Sequence, residues 1–177
     1  MVDIRDVRRE DAEAIAQIYA HHVLHGTASY ELEPPSAEQT LAKIDRITGR
    51  GWPFLVAQEN GEAVGYAYAE QLRDRPAYRF TCENSIYIRA DRLGRGIGKA
   101  LLEELCSLCT AMGFRQMIAV IGGAEPASIA LHESCGFKAA GRLASVGWKK
   151  GRWLDTVYMQ RELGGGSSTA RDGPSRE

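Results

Sequence analysis

Three glycines at alternate positions, Gly94-Arg95-Gly96-Ile97-Gly98, stand between a run of β-formers (Ser85-Ile86-Tyr87-Ile88) and a long apolar repeat. In that repeat Ile97, Leu101, Leu105, Leu108 and Met112 recur at helical spacing, up to Gly113. A strand that turns through glycines into a helix commits the chain to an α/β arrangement. The junction is also an anion site in outline. The first turn of a helix leaves four N–H groups unpaired and carries partial positive charge, and the glycines let the preceding backbone aim further N–H groups inward. Arg92, Arg95 and Lys99 add charge at its rim. No Gly-Lys-Ser/Thr closes the loop, and no acidic residue follows at the distance of a dinucleotide fold, so neither of those phosphate motifs applies. Taken alone, the motif reads equally well as a structural turn.

With 177 residues the chain has room for one domain, and its 44% hydrophobic content supplies a core. Lys and Arg number 22 against 23 Asp and Glu, for a net charge of −1; no nucleic-acid partner is expected. There is no apolar run long enough to span a bilayer, and the N-terminus is charged from Asp3 with no signal-like stretch. A cytoplasmic protein with no membrane partner is expected. Its four cysteines (Cys82, Cys106, Cys109, Cys135) would then be reduced thiols. Cys106 and Cys109 form a C-x-x-C within the apolar helix pattern, with no second pair to complete a zinc site; they read as core or surface thiols, and no metal is expected.

Along the chain, residues 2–8 read as a first strand, and Ala12, Ile15, Ile18, Tyr19 and His22 place a helix from Glu10 to about Leu24. An irregular Gly- and Pro-containing segment follows. Ser36 with Gln39 forms a capping box for a second helix through Leu41, Ile44 and Ile47, ended by Gly49 and Gly51. Phe54–Gln58 and Ala63–Ala69 flank Asn60-Gly61, the strongest hairpin signal. Cys82–Arg89 is a third β run, Met117–Ile121 a buried strand, and Pro126 opens a helix through Ile129, Leu131 and His132 to Gly136. Alternation around Gly141 and Gly147, ending in Trp153–Met159, predicts a closing hairpin. Residues 1–163 are read as the domain and residues 164–177 as a disordered tail.

Strand, glycine loop, helix, strand and then A-S-I-A-L-H-E-S-C-G-F, in that order, resemble the GNAT acetyltransferase family. Within it, T-C-E-N-S-I-Y-I, A-S-I-A-L-H-E and V-G-W-K-K-G-R-W-L-D are similar to the phosphinothricin and methionine sulfone acetyltransferase branch. The resemblance covers about residues 2–162. It implies a mixed, mostly antiparallel central sheet with two splayed parallel strands and helices on both faces, acetyl-coenzyme A as cosubstrate, a small amino-acid-like amine as substrate, and a homodimer. It places cofactor contacts at the backbone of Ile86, Tyr87 and Ile88, at the loop Gly94, Arg95, Gly96, Ile97, Gly98 and Lys99, and at Glu125 and Ser134. Two positions depart from the family: Leu93 stands where Gln or Arg is usual, and Glu125 where Asn is common.

The implied reaction has definite chemical needs. An α-amino group has a pKa near 8 and is mostly protonated at pH 7, so attack on a thioester needs a proton acceptor. Glu83 is the candidate, against the alternative of a surface carboxylate at a strand edge. The developing oxyanion needs a fixed donor, expected from a backbone N–H near Tyr87 or Ile88. The leaving thiolate needs a proton or hydrogen bond, for which the resemblance points to His132, as a second acid/base or a substrate-orienting group, against a core or capping histidine. His21, His22 and His25 read as solvated helix-end residues. For a substrate carboxylate, the Arg73–Arg79 loop offers arginines, and the resemblance favours Arg75, then Arg79. Tyr30 and Glu31 match the branch's substrate-covering pair or are loop packing. Trp148, Lys149 and Trp153 line the pocket, a dimer contact or the core. Three functions stay open at this point: a small-molecule N-acetyltransferase, a protein or peptide N-terminal acetyltransferase, and a non-catalytic acyl-coenzyme A binding module.

Overall fold

The computed structural model describes residues 2–168. In chain order it contains β1 (Val2–Asp6), α1 (Ala12–His25), α2 (Ala37–Gly49), β2 (Phe54–Glu59), β3 (Glu62–Gln71), β4 (Thr81–Ile88), α3 (Ile97–Ala111), β5 (Gln116–Gly122), α4 (Pro126–Ser134), β6 (Lys138–Lys149) and β7 (Arg152–Glu162). The strands form one sheet in the order β1-β2-β3-β4-β5-β7-β6. Every neighbouring pair is antiparallel except β4 and β5, which run parallel. This is a mixed α/β fold.

Local signals explain most element ends. Ser36 Oγ accepts from the Gln39 N–H at 3.1 Å while Gln39 Oε1 accepts from the Ser36 N–H at 2.8 Å, a reciprocal cap of about 1 kcal/mol at the start of α2. Asn60 and Gly61 both have positive φ (52° and 85°), as the two-residue turn between twisted antiparallel strands demands. The first strand ends at Asp6, two residues earlier than its sequence pattern, because Asp11 turns back to accept from the Arg8 N–H and from Arg5. Met112 lies past the last turn of α3 and is exposed, unlike Leu101 and Leu105. The closing hairpin turns at Lys150-Gly151. Its outer strand carries extra residues: Leu143 to Gly147 spans four positions against two from Thr156 to Leu154. Asp155 Oδ1 accepts from the Ser145 N–H inside that bulge.

Apolar packing covers both faces of the sheet. On one, Leu101, Leu102, Leu105, Cys106 and Cys109 of α3 bury against Cys82, Met117, Ala119 and Met159. On the other, Ile15 and Ile18 of α1 with Ile44 and Ile47 of α2 cover Phe54, Val56, Tyr66 and Tyr68. The C-x-x-C cysteines therefore sit in the α3 core, with Cys106 Sγ 3.7 Å from Met117 Sδ. Of the tail expected over residues 164–177, residues 164–168 form a turn and a short 3-10 helix at Gly166–Ser168, after the buried Leu163; residues 169–177 lie outside the described residues.

The parallel pair is where the sheet parts. β4 and β5 are in register only from Thr81↔Gln116 to Asn84↔Ala119. Beyond that, β4 stays with β3 as far as Ile88↔Gly65 and β5 stays with β7 as far as Gly122↔Thr156. Each strand keeps its outer neighbour and loses the inner one, so the sheet opens down its middle.

Candidate active site

A cavity of about 570 Å³ occupies this opening. Its walls come from β4 (Glu83 to Tyr87), β5 (Ala119 to Gly122), α4 (Ser128, His132), Tyr19 of α1, residues 28–31 and Thr156 of β7. Because strand residues alternate between faces, β4 presents two different chemistries to it. Cys82 and Ile88 pack in the α3 core, which puts Asn84 and Ile86 on that face. Tyr87 packs edge-on against Tyr19 with centroids 4.8 Å apart, which puts Glu83 and Ser85 on the α1 face.

On the α3 flank the groups on offer are mostly backbone. Gly94 and Gly96 have φ of 72° and 80°, and a Cβ on either would meet nothing within 4 Å. Their glycines are required by conformation, not by space. Gly98 is different: it is helical, and a Cβ there would come 3.2 Å from Leu131 of α4. Gly96 caps α3 with no side-chain bond, so the first-turn N–H groups point outward without a side-chain partner. Lys99 and Arg95 are exposed there, but Arg92 is not a free rim charge: its Nε donates to Glu59 at 2.8 Å, and Arg95 lies 3.5 Å from the same carboxylate. Leu93 is exposed. Glu125 caps α4 and accepts weakly from Thr27 Oγ1 at 3.4 Å. The Ser134 hydroxyl is turned back onto the Leu131 carbonyl at 2.7 Å. A phosphate-bearing, extended ligand would find here an open helix start for its anion and, past Asn84, a β4 edge without a strand partner, on which the Ile88 carbonyl is already held by His22.

Side chains build the α1 flank. Glu83 is half-buried, and burial pushes its carboxyl above the usual carboxylate range; Arg73 works against this and Glu70, its cross-strand partner, adds to it. Tyr19 hydrogen-bonds Ser29 Oγ at 2.7 Å. Tyr30 does not swing freely over the cavity. Its hydroxyl contacts Thr156 Oγ1 at 2.8 Å, donates to the Asp155 carbonyl at 2.9 Å and accepts from the Gly123 N–H at 3.2 Å. The Tyr30 ring lies where a Cβ on Gly147 would sit, 2.7 Å away. The buried Lys149 ammonium donates to the Ser29 carbonyl at 2.7 Å and Lys150 to the His25 carbonyl at 2.7 Å. The loop at 26–31 is thus fastened to the C-terminal hairpin, with Glu31 exposed at its end.

His132 is buried between the two flanks. Its Nδ1 lies 2.8 Å from the Ser128 carbonyl and its Nε2 3.0 Å from Asn84 Oδ1. Burial lowers its pKa, opposed by the Ser128 carbonyl. Glu83, His132, Ile86, Tyr87, Tyr30 and Glu31 all line the cavity. Arg75 and Arg79 do not; Arg79 folds over its own neighbour Phe80, 4.5 Å from the ring centroid, and bonds the Pro76 carbonyl. From the arginine loop, Arg73 is the residue whose charge reaches Glu83. His22 also departs from its reading as a solvated helix end: it is half-buried and Nε2 donates to the Ile88 carbonyl at 2.7 Å. Asn84 is not legible as a site residue in the sequence. Its only signal there is a carboxamide on the core-facing side of a buried strand.

Comparison with known proteins accords with this geometry. Residues 4–158 match the model of the acetyltransferase (GNAT) domain. The chain is 48% identical over 167 residues to a phosphinothricin N-acetyltransferase of Alcaligenes faecalis, covering 94% of this chain and 85% of that one. It is 37% identical to an L-methionine sulfoximine/L-methionine sulfone acetyltransferase of Salmonella typhimurium, covering 90% and 94%. Among solved structures, a phosphinothricin acetyltransferase from Sinorhizobium meliloti in complex with AcCoA superposes with a TM-score of 0.95 at 50% identity, covering 99% and 96%. With its sheet opened between β4 and β5 and a glycine-started helix beside the gap, this chain belongs to the GNAT acetyltransferase family.

Proposed function

We infer that the protein transfers acetyl from acetyl-coenzyme A to the primary amine of a small amino-acid-like substrate of the phosphinothricin, methionine sulfone or methionine sulfoximine type. The observation that carries this reading is the shared cavity at the β4/β5 opening, where a carboxyl of raised pKa (Glu83) and a buried imidazole (His132) reach the same space from opposite sides of one strand. The relatives named above support the substrate class.

Acetyl-coenzyme A supplies an activated acyl group and a thiolate leaving group. The N–H groups at the start of α3, with Gly94, Gly96, Arg95 and Lys99, hold its diphosphate. The edge of β4 that β5 leaves after Asn84 aligns its arm along Ile86, Tyr87 and Ile88 as an added strand would, beside the His22 imidazole that holds the Ile88 carbonyl, with Glu125 and Ser134 flanking the α4 side. Glu83 accepts the ammonium proton, directly or through a water, so that the amine attacks without an acyl-enzyme. A pKa above the ordinary carboxylate value makes its ionised form a stronger base. A backbone N–H near Tyr87 or Ile88 steadies the charge on the attacked carbonyl oxygen, and His132 protonates the departing thiolate. Tyr30 and Glu31 wall the amine pocket, and an arginine of the 73–79 loop meets the substrate carboxylate: the resemblance favours Arg75, whereas the charge that reaches Glu83 is that of Arg73.

The four free, buried cysteines support a reducing compartment, the cytoplasm, and no helix among the described residues is long and apolar enough to cross a membrane. A homodimer is supported by an apolar strip on the outer hairpin: Leu143, Val146, Trp148 and Trp153 are each about half exposed, the tryptophans edge-on with centroids 5.2 Å apart.

Thiol release from acetyl-coenzyme A in the presence of methionine sulfone, phosphinothricin or a short peptide tests the reading. Turnover with the amino acids and little with the peptide is expected. Turnover with the peptide alone redirects the enzyme to protein N-termini. Cofactor binding with no turnover on any amine leaves a binding module.

A further inference from the structure

Asn84 is the last residue of β4 still paired to β5, and its side chain is buried on the α3 side of the sheet. The carboxamide there makes two contacts. Nδ2 donates to the Ile118 carbonyl of β5 at 3.2 Å, and Oδ1 faces His132 Nε2 of α4 at 3.0 Å. A main-chain carbonyl only accepts, so the Ile118 contact fixes which way the amide points; turning it over would set oxygen against oxygen. The opposite ring nitrogen, Nδ1, faces the Ser128 carbonyl, another pure acceptor. The imidazole is therefore bracketed by two acceptors. Either neutral tautomer satisfies one of them and leaves the other against a bare nitrogen, while the imidazolium satisfies both.

We propose that Asn84 is the positioning residue of His132: locked by the Ile118 carbonyl, its carboxamide oxygen holds the imidazole at the β4/β5 opening with a proton on Nε2. The proposal rests on the reading of His132 as the acid for the leaving thiolate and specifies how that acid is kept loaded. Burial lowers the His132 pKa on balance, with the Ser128 carbonyl opposing it; the Asn84 oxygen is the second acceptor facing the ring. Other groups around the ring do not substitute for Asn84. From α4 comes the Ser128 carbonyl, and from beyond it the Phe137 ring, edge-on with centroids 4.9 Å apart. β5 lines the shared cavity with Ala119, Val120, Ile121 and Gly122, none of them titratable. On β4, the Glu83 carboxylate lies on the opposite face and answers to Arg73 and Glu70. Burial and the Ser128 carbonyl are the resolved influences on the His132 pKa, with no charged side chain among them.

The test is the titration of His132 by NMR in the free enzyme, beside the pH dependence of kcat, for the native protein, Asn84→Asp and Asn84→Leu. A carboxylate facing Nε2 favours the imidazolium and a leucine removes the acceptor. The His132 midpoint is expected to rise in Asn84→Asp and fall in Asn84→Leu, with the alkaline limb of kcat following in the same direction and the KM for acetyl-coenzyme A little changed. Should Asn84→Leu not fold, Asn84→Ala, which also removes the acceptor, takes its place, and a His132 midpoint unmoved in it overturns the proposal. A His132 midpoint unmoved in folded Asn84→Asp overturns the proposal. A midpoint that moves while the kcat limb stays supports the hold by Asn84 and overturns His132 as the acid.

Discussion

The two flanks of β4 are made of different material. On the α3 side the groups on offer are main-chain amides whose direction is set within a few residues by Gly94, Gly96 and the helix they start. On the α1 side they are side chains delivered from far apart: Lys149 reaches Ser29 across 120 residues and Tyr30 reaches Thr156 across 126. A site of backbone atoms is insensitive to which side chains surround it, whereas a site of convergent side chains is shaped by every one of them. Under the proposed function, the backbone-built flank receives the cofactor and the side-chain-built flank the amine.

Substitutions on the two flanks should accordingly separate in their kinetics. Glu83→Gln leaves the cofactor flank intact and is expected to lower kcat by about 10²–10⁴ with the acetyl-coenzyme A KM unchanged; steady-state kinetics in both substrates checks this, and full activity would remove Glu83 from the base role. Gly96→Ala acts on the other flank. It forces a Cβ onto a φ of 80° with no clash, at a cost of roughly 1–2 kcal/mol, and is expected to raise the acetyl-coenzyme A KM about tenfold while the amine KM holds. Tyr30→Phe removes the acceptor of the Gly123 N–H and should cost about 1 kcal/mol of stability, read by thermal unfolding, with a higher amine KM and the cofactor KM untouched. If Tyr30→Phe and Gly96→Ala disturb both KM values alike, the division between flanks fails.

The smallest effect concerns pH. A base works when ionised, so activity is present above the Glu83 pKa and is lost as pH falls through it. Since burial raises that pKa, the acid limb of kcat/KM should lie above the ordinary carboxylate range. Arg73 pulls it down; Arg73→Ala should therefore move the limb further upward, by an amount limited by the exposure of Arg73.

The same contrast explains what can be read from the chain. The cap of α2, the Asn60-Gly61 turn, the glycine start of α3 and the Pro126 start of α4 are decided by neighbours in sequence, and all appear at or near their expected places. Glu83 and His132 stand out by resemblance; that they approach one cavity from opposite faces of β4 comes from strand alternation and from the loss of pairing after Asn84, which no local pattern marks. Asn84, Arg73 and His22 owe their positions to tertiary neighbours, and their residue types carry no signal of it. Met112 reads as part of the buried face because the apolar repeat continues one residue past the last turn of the helix, where the side chain is exposed.

The threading of β7 between β5 and β6 has a consequence for biosynthesis. As the polypeptide leaves the ribosome, everything needed for the glycine turn and its helix emerges by residue 111, yet the inner strand at 116–122 keeps a bare hydrogen-bonding edge until residues 152–162 are available to cover it. Those late residues also supply the anchorage for Tyr30. The flank built around Tyr30 is thus the last to take shape, and a prematurely stopped nascent chain would carry the glycine turn alongside a sticky, half-finished sheet.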